Sequence, residues 1–213
     1  MIRFDRSHQM LAIGVALLAG FVDAIGFIES GGFFVSFMTG NSTRFAVGVA
    51  NGQQAALFAG AIIALFVTGV VLGSLLAARV KSARTFAILS LVTILLAVAM
   101  LLRLGGGEWQ AVACLALAMG LVNAALEGKD GAVVGVTYMT GTLVQMGHKI
   151  ANRMRGEGDG RWLHHFGLWA ALVAGAIAGA HIVLWSAPLG YAAASLLAAA
   201  MMFHALWLLR GAA

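Results

Sequence analysis

The sequence predicts an all-α membrane protein with about six transmembrane helices plus two short re-entrant or broken helices, built as two sequence repeats that we expect to be inverted. Three observations lead to this prediction. Of the 213 residues, 62% are hydrophobic and 10% are charged, whereas a soluble domain has about 25% charged residues. Long apolar runs fill most of the chain, and one polar motif occurs twice.

The apolar runs define the predicted spans, since a transmembrane helix needs roughly 20 mostly apolar residues. In chain order the runs are residues 10–29, 56–78, 85–104, 109–126, 163–186 and 187–209. They leave little for a soluble domain, so residues 1–213 are expected to form a single polytopic membrane domain. Arg3 and Arg6 precede the first run as in a signal peptide, but that run carries Asp23 and belongs to the repeat, so we expect it to be retained.

The repeat is visible in a polar motif and in the apolar segment before it. Residues 36–43 read Ser-Phe-Met-Thr-Gly-Asn-Ser-Thr, and residues 137–143 read Thr-Tyr-Met-Thr-Gly-Thr-Leu. The preceding segments, Gly20-Phe-Val-Asp-Ala24 and Gly120-Leu-Val-Asn-Ala124, also correspond. We therefore place the first repeat at about 10–104 and the second at about 109–210.

The motif segments, about 33–49 and 133–150, are too short to span as straight helices. Seventeen residues reach only about 25 Å, against a hydrocarbon core of about 30 Å. Both carry polar residues and a central glycine, which permits a break in a helix. They could be re-entrant segments or short true spans.

The basic residues favour six spans over eight. With six spans, two re-entrant segments and cytoplasmic termini, most Lys and Arg residues lie inside, as the positive-inside rule requires. These residues are Arg3, Arg6, Arg79, Lys81, Arg84, Lys129, Lys149, Arg153, Arg155, Arg161 and Arg210. Only Arg44 and Arg103 fall elsewhere. An odd number of spans per repeat makes the second half enter from the opposite side, as in many transporters with inverted repeats.

Asp23 is the most informative single residue, because it lies near the middle of the first predicted span. Intramembrane carboxyl groups are costly and usually face the bundle interior or a cavity. Asp23 could bind a cation or proton, or it could be a structural carboxyl that is protonated or paired. Arg44 could be its ion-pair partner, or could extend to the membrane interface. The second repeat has the neutral Asn123 at the matching position, so the site would be asymmetric.

The motif residues complete the candidate binding site for a solute or ion. Their hydroxyl, amide and backbone N–H groups could contact a polar solute; alternatively, they only cap and pack two short helices. The candidate residues are Asp23, Thr39, Gly40, Asn41, Ser42, Thr43, Arg44, Asn123, Thr140, Gly141 and Thr142.

Two further glycine patterns correspond between the halves, Gly69–Gly73 and Gly175–Gly179. Small residues four positions apart let helices approach closely in lipid. They are expected to pack helices within the chain, and they would equally suit a homo-oligomer formed through small-residue faces.

Other functional classes find little support. The basic residues lie in short loops, which is typical of membrane orientation rather than nucleic-acid binding. His181 and His204 differ in predicted depth by roughly 18 Å, too far to share a metal ion. We see no nucleophile–base arrangement or metal-ligand spacing, so we expect no enzyme activity, no metal site and no cofactor.

The residues Gly20-Phe-Val-Asp-Ala-Ile-Gly26 and Phe34-Val-Ser-Phe-Met-Thr-Gly-Asn41 resemble those of the YoaK-like family of bacterial inner-membrane proteins, which is catalogued as a domain of unknown function. The resemblance covers most of the chain and implies a multi-pass protein of the bacterial inner membrane. It implies no substrate. The second half departs from the pattern, with Asn123 in place of Asp and Thr142 in place of Asn.

These features lead to two functional hypotheses. The first is a transporter or channel for a small polar solute or ion, with the two motif segments meeting near mid-membrane beside Asp23. The alternative is a non-transporting membrane scaffold, assembly partner or small-ligand sensor. The expected partners are the lipid bilayer and the solute or ion.

Overall fold

A computed structural model describes residues 6–126, 137–157 and 162–211, without the side chains of residues 6–8 and 82. The described residues form eight α-helices, one 3₁₀ turn and no strand, which confirms the predicted all-α class. The helices are α1 Arg6–Glu29, α2 Met38–Ala50, α3 Ala55–Val80, α4 Arg84–Leu104, α5 Glu108–Val122, α6 Met139–Met154, α7 Trp162–Trp185 and α8 Ala187–Gly211, with the 3₁₀ turn at Lys81–Ala83. Residues 133–136 of the second motif segment and the basic residues Arg3, Lys129 and Arg161 lie outside the described ranges.

Five of the described helices are long and apolar enough to cross a membrane: α1 from Gln9, α3, α4, α7 and α8. They match five of the six predicted runs. The sixth run, 109–126, corresponds to α5, which has 15 residues and would reach only about 22 Å. The helix ends at Val122 because the chain turns at Asn123, so the predicted sixth span is shorter than expected.

The innermost helices are α1 and α5. Most of α1 and nine residues of α5 are buried. Around them, α1 packs mainly on α7, α3 on α5, and α4 on both α5 and α8. The short helices α2 and α6 pack on α3 and α7, respectively. The outer helices therefore present large apolar side chains to the surroundings, as expected for helices in lipid.

Glycines allow the closest helix crossings. A Cβ atom on Gly20 would lie 2.0 Å from the carbonyl oxygen of Leu172, and one on Gly175 would lie 2.0 Å from that of Leu17. The α3–α5 crossing is equally tight, because a Cβ on Gly120 would lie 2.1 Å from the carbonyl oxygen of Phe66. The glycine patterns thus pack helices within the chain, as predicted.

Four helix ends come together at what we call the Arg103 end of the bundle. Arg103, in the last turn of α4, contacts Glu29 at the end of α1 and Glu108 at the start of α5. The ring of Phe58, in the first turn of α3, stacks on Trp109 with centroids 4.2 Å apart. The chain therefore leaves α1 and enters α3 at the same end.

The opposite end, which we call the Arg84 end, holds the start of α4 and the end of α5. Arg84 Nε donates to the carbonyl oxygen of Ala124, and the Thr85 hydroxyl donates to that of Ala125, both at 2.8 Å. Helix α7 also begins here, because it runs parallel to α1: Gly175 lies against Leu17 and Gly179 against Phe21. The chain therefore leaves α5 and enters α7 at the Arg84 end.

Candidate functional site

The connection between α1 and α2 folds back along α1 and is bonded to Asp23. One carboxylate oxygen of Asp23 accepts hydrogen bonds from the backbone N–H groups of Val35 and Ser36, each at 2.8 Å. Asp23 precedes the end of α1 by six residues, which is about 9 Å along the helix. The intramembrane carboxylate thus holds non-helical backbone well inside the bundle.

Two other side chains fix the same connection. The fully buried amide of Asn41 accepts from the Phe34 N–H at 3.0 Å and donates to the Phe34 carbonyl oxygen at 2.5 Å. The buried Ser30 hydroxyl accepts from the N–H of Phe33 at 2.9 Å. Sequence reasoning included Asn41 in the site but missed Ser30, whose small polar side chain carries no distinctive signal.

The backbone reversal precedes the Met-Thr-Gly motif. Gly31 and Gly32 have φ angles of 70° and 110°, which suit glycine because other residues are strained there. Gly40 and Gly141 instead lie within regular helix. The helix break that these two glycines would permit is therefore not at the glycines themselves, and each helix begins two residues earlier.

The motif glycines make room for aromatic rings. A Cβ atom on Gly40 would lie 2.6 Å from a ring carbon of Phe37, and one on Gly141 would lie 2.2 Å from a ring carbon of Tyr138. Phe37 and Tyr138 immediately precede the two helices, which begin at the matching residues Met38 and Met139. The two motifs thus form the same local structure, in which an aromatic ring covers the first helical turn.

The predicted hydroxyl groups lie on the outer faces of the short helices. Thr39, Ser42, Thr43 and Thr140 are exposed. The hydroxyls of Ser42 and Thr43 donate to carbonyl oxygens one turn earlier, at 2.9 and 3.2 Å. Thr142, which is partly exposed, does the same to Tyr138 at 3.3 Å. Each of these hydroxyl oxygens can still accept a hydrogen bond from a solute or water.

The second segment is held differently. The Asn123 side chain donates to the carbonyl oxygen of Met119 at 2.8 Å and accepts from the Thr137 hydroxyl at 2.9 Å. Thr137 occupies the motif position that Ser36 occupies in the first half. Both halves therefore use the same pair of positions. Asp23 accepts hydrogen bonds from two backbone N–H groups in addition to its contact with the Ser36 side chain, whereas Asn123 contacts only the side chain of Thr137 among the described residues of the second segment.

Arg44 does not pair with Asp23. Its guanidinium group lies over the Phe33 ring, 5.3 Å from the centroid, and beside Gly32. Within the described residues no ion pair joins Arg44 to Asp23, and its exposed position next to the connection is consistent with extension towards the membrane interface. The two backbone N–H donors occupy the carboxylate oxygen instead.

The predicted site residues form two groups rather than one. The first group surrounds Asp23 and α2, and the second surrounds Asn123 and α6. Among the described residues, α2 and α6 form no extended packing with each other. The motif segments were expected to meet directly, and these helices do not. The contact between α1 and α5 connects the two groups.

Arg84 and Thr85 were not predicted as site residues. They bind the carbonyl groups of Ala124 and Ala125, which follow the last turn of α5 and lead towards the second motif. Sequence reasoning used Arg84 only for membrane orientation. Its position directly before an apolar run gave no sign of a contact 40 residues away.

Comparison with known proteins assigns the family. Residues 11–208 match the family described as "Protein of unknown function (DUF1275)". The chain is also 37% identical over 186 residues to the UPF0700 transmembrane protein RA0705 of Rhizobium meliloti (strain 1021), covering 86% of this chain and 80% of that protein. No solved structure matches the chain significantly. The chain therefore belongs to the DUF1275 family, as its YoaK-like motifs predicted, and is a multi-pass membrane protein.

Proposed function

We propose that this protein is a membrane transporter or channel for a small polar solute or ion, with its path lined by the two motif segments. The observation that carries the proposal is the non-helical connection bonded to Asp23, about 9 Å inside the end of α1. Irregular backbone at membrane depth is tolerated only where protein buries it or where it lines a water-filled cavity. The exposed Thr39, Ser42 and Thr43 beside it favour a polar, water-filled surface.

We further propose that the two halves are inverted repeats with re-entrant segments. The chain leaves α1 and enters α3 at the Arg103 end, but it leaves α5 and enters α7 at the Arg84 end. Each short helix would then enter the membrane and return on one side, and the two would do so from opposite sides. Transporters with this symmetry carry their substrate between the repeats.

The Arg84 end is assigned to the cytoplasm. The connection between α3 and α4 lies at this end and carries Arg79, Lys81 and Arg84. Short cytoplasmic loops have an excess of Lys and Arg. Helix α1 begins at this end. Helix α7 runs parallel to α1 and ends at the opposite end, and α8 follows it directly and returns. Both termini would therefore be cytoplasmic, and the first segment would open to the outer side of a bacterial inner membrane.

In this mechanism Asp23 couples the solute path to protonation or cation binding. Its carboxylate holds Val35 and Ser36 through hydrogen bonds that are stronger when the acceptor is charged. Neutralising the carboxylate would weaken both bonds and release the connection next to the exposed hydroxyl groups. We propose no enzymatic reaction for these segments.

A flux measurement tests the proposal. Solutes and ions that shift the thermal unfolding of the purified protein would be offered to proteoliposomes, with Asp23→Asn compared with the wild type. We expect the wild type to transport at least one of them, and Asp23→Asn to lose the ion or pH dependence while remaining folded. Absence of flux for every stabilising solute would favour the scaffold, assembly or sensor role, and unchanged transport by Asp23→Asn would contradict the coupling.

A further inference from the structure

One arginine joins three helices at the Arg103 end. Arg103 Nε donates to a Glu29 carboxylate oxygen, and its terminal nitrogen lies 3.5 Å from a Glu108 carboxylate oxygen. The Glu29 side chain is 12% exposed and that of Arg103 22%. A single, partly buried guanidinium group therefore fastens the ends of α1 and α4 to the start of α5.

Tyr191 of α8 is buried within electrostatic range of this cluster and has an unsatisfied hydroxyl group. The residue is fully buried, and its hydroxyl has no hydrogen-bond partner among the described residues. Glu29, Arg103 and Glu108 lie within electrostatic range of it. A buried hydroxyl without a partner is unfavourable, and a carboxylate is a strong acceptor for it. The present arrangement thus leaves a donor that Glu29 could satisfy if it left Arg103.

The cluster also adjoins the first motif segment. Glu29 directly precedes Ser30, which fixes the connection at Phe33. The Phe33 ring lies 6.5 Å from that of Phe58, which stacks on Trp109 next to Glu108. Movement of Glu29 or α5 would therefore displace residues that flank the connection.

We propose that Glu29, Arg103, Glu108 and Tyr191 form a gate over the first motif segment, an inference that rests on the proposed transport function. In the closed state Arg103 holds Glu29 and Glu108. In the open state Glu29 separates from Arg103 and accepts a hydrogen bond from the Tyr191 hydroxyl. The exchange of partners needs no covalent step.

The single cysteine of the chain provides a reporter. Cys114 lies on α5 six residues after Glu108, is partly buried, and is within electrostatic range of Tyr191. The measurement is the rate at which a membrane-impermeant maleimide labels Cys114 in the full-length protein in lipid nanodiscs. Glu29→Gln should raise this rate by about tenfold, since breaking a partly buried charge pair shifts a two-state equilibrium by that order.

Three further variants make the test specific. The charge-swapped variant Glu29→Arg, Arg103→Glu and Glu108→Arg, which reverses both ion pairs, should return labelling towards the wild-type rate. Tyr191→Phe, which lacks the unpaired hydroxyl, should label more slowly than the wild type. Glu157→Gln removes the partner of Arg155 in a separate exposed ion pair, and should change nothing.

The gate is overturned if Glu29→Gln, shown to be folded by size-exclusion chromatography, labels at the wild-type rate, or if the charge swap does not restore protection. Solute flux measured in parallel separates this proposal from the function on which it rests. If the protein transports a solute but Glu29→Gln labels at the wild-type rate, the gate is overturned and the transport function is not. Faster labelling of Glu29→Gln without flux of any solute would support the opening and contradict transport.

Discussion

The two inner helices, α1 and α5, carry corresponding sequences but end differently. Helix α1 continues for six residues beyond Asp23 to Glu29, whereas α5 ends at Val122, immediately before Asn123. The Asp23 carboxylate bonds to backbone outside its own helix, while the Asn123 amide donates back to Met119 within α5. The two copies of the motif therefore begin their short helices at matching residues, but different hydrogen bonds fix the segments that carry them.

This difference matters because, among the described residues, an acidic side chain holds the first segment and a neutral amide holds the second. Two N–H groups converge on the Asp23 carboxylate, and the buried Asn41 amide adds two bonds to Phe34. The second segment has one side-chain bond between Asn123 and Thr137 among the described residues. We therefore expect Asp23 to make the first segment sensitive to protons or cations.

The largest expected effect is a loss of stability at the tight helix crossings, to which Gly20 of the first half and Gly120 of the second half contribute. Gly20→Ala and Gly120→Ala each place a methyl group about 2 Å from a backbone carbonyl oxygen of a neighbouring helix. Each should destabilise the protein by about 3 kcal/mol, since backbone must move to admit the methyl group. Thermal unfolding in detergent measures this. Gly147→Ala, on α6 with open space around it, is the matched control and should not destabilise; similar losses for all three would contradict the crossing geometry.

The next effect is a loss of stability that should differ between the two halves. Asp23→Ala leaves two N–H groups without an acceptor, and should cost about 3 kcal/mol. Asn123→Ala removes one bond to Thr137 of the second segment and one to Met119 within α5, and should cost about 1 kcal/mol. Denaturation of the two purified variants under identical conditions gives the difference. Equal losses would mean that the two segments are held with equal strength, against the asymmetry described here.

A smaller effect is expected one turn into each motif. Asn41→Ala removes both bonds to Phe34 from a buried site and should cost about 2 kcal/mol. Thr142→Ala, at the matching position, removes only a bond to its own helix and should change stability by less than about 0.5 kcal/mol. The same unfolding assay compares them, and a larger loss for Thr142→Ala would reverse the assignment.

Much of the fold could be predicted from the sequence because lipid imposes long apolar runs. Five runs match helices closely, and the glycines that α3 and α7 bring to the two crossings were recognised from their spacing, whereas Gly20 of α1 and Gly120 of α5 were not. The early end of α5 could not be predicted, since it is accompanied by contacts from Arg84 and Thr85 to carbonyl groups 40 residues away.

The role of the candidate residues in binding a solute or ion stays a prediction, but the structure shows contacts of theirs that the sequence did not reveal. Asp23, Asn41 and Asn123 all make polar contacts that fix the segments. The partner of Asp23 was not predicted. Arg44, in the following motif segment, offered an opposite charge and suggested an ion pair, whereas the fold-back at Gly31 and Gly32 brings backbone N–H groups to Asp23. The motif glycines were misinterpreted because their contact is with an aromatic ring three residues earlier.

The most direct test is the side from which each motif can be reached by water. Thr39→Cys and Thr140→Cys, each combined with Cys114→Ser, would be exposed to a membrane-impermeant maleimide in spheroplasts and in inside-out vesicles. Oppositely directed, water-lined segments predict that Thr39→Cys reacts only from the outer side and Thr140→Cys only from the cytoplasmic side. Labelling of both from one side, or protection of both, would contradict the inverted transport path.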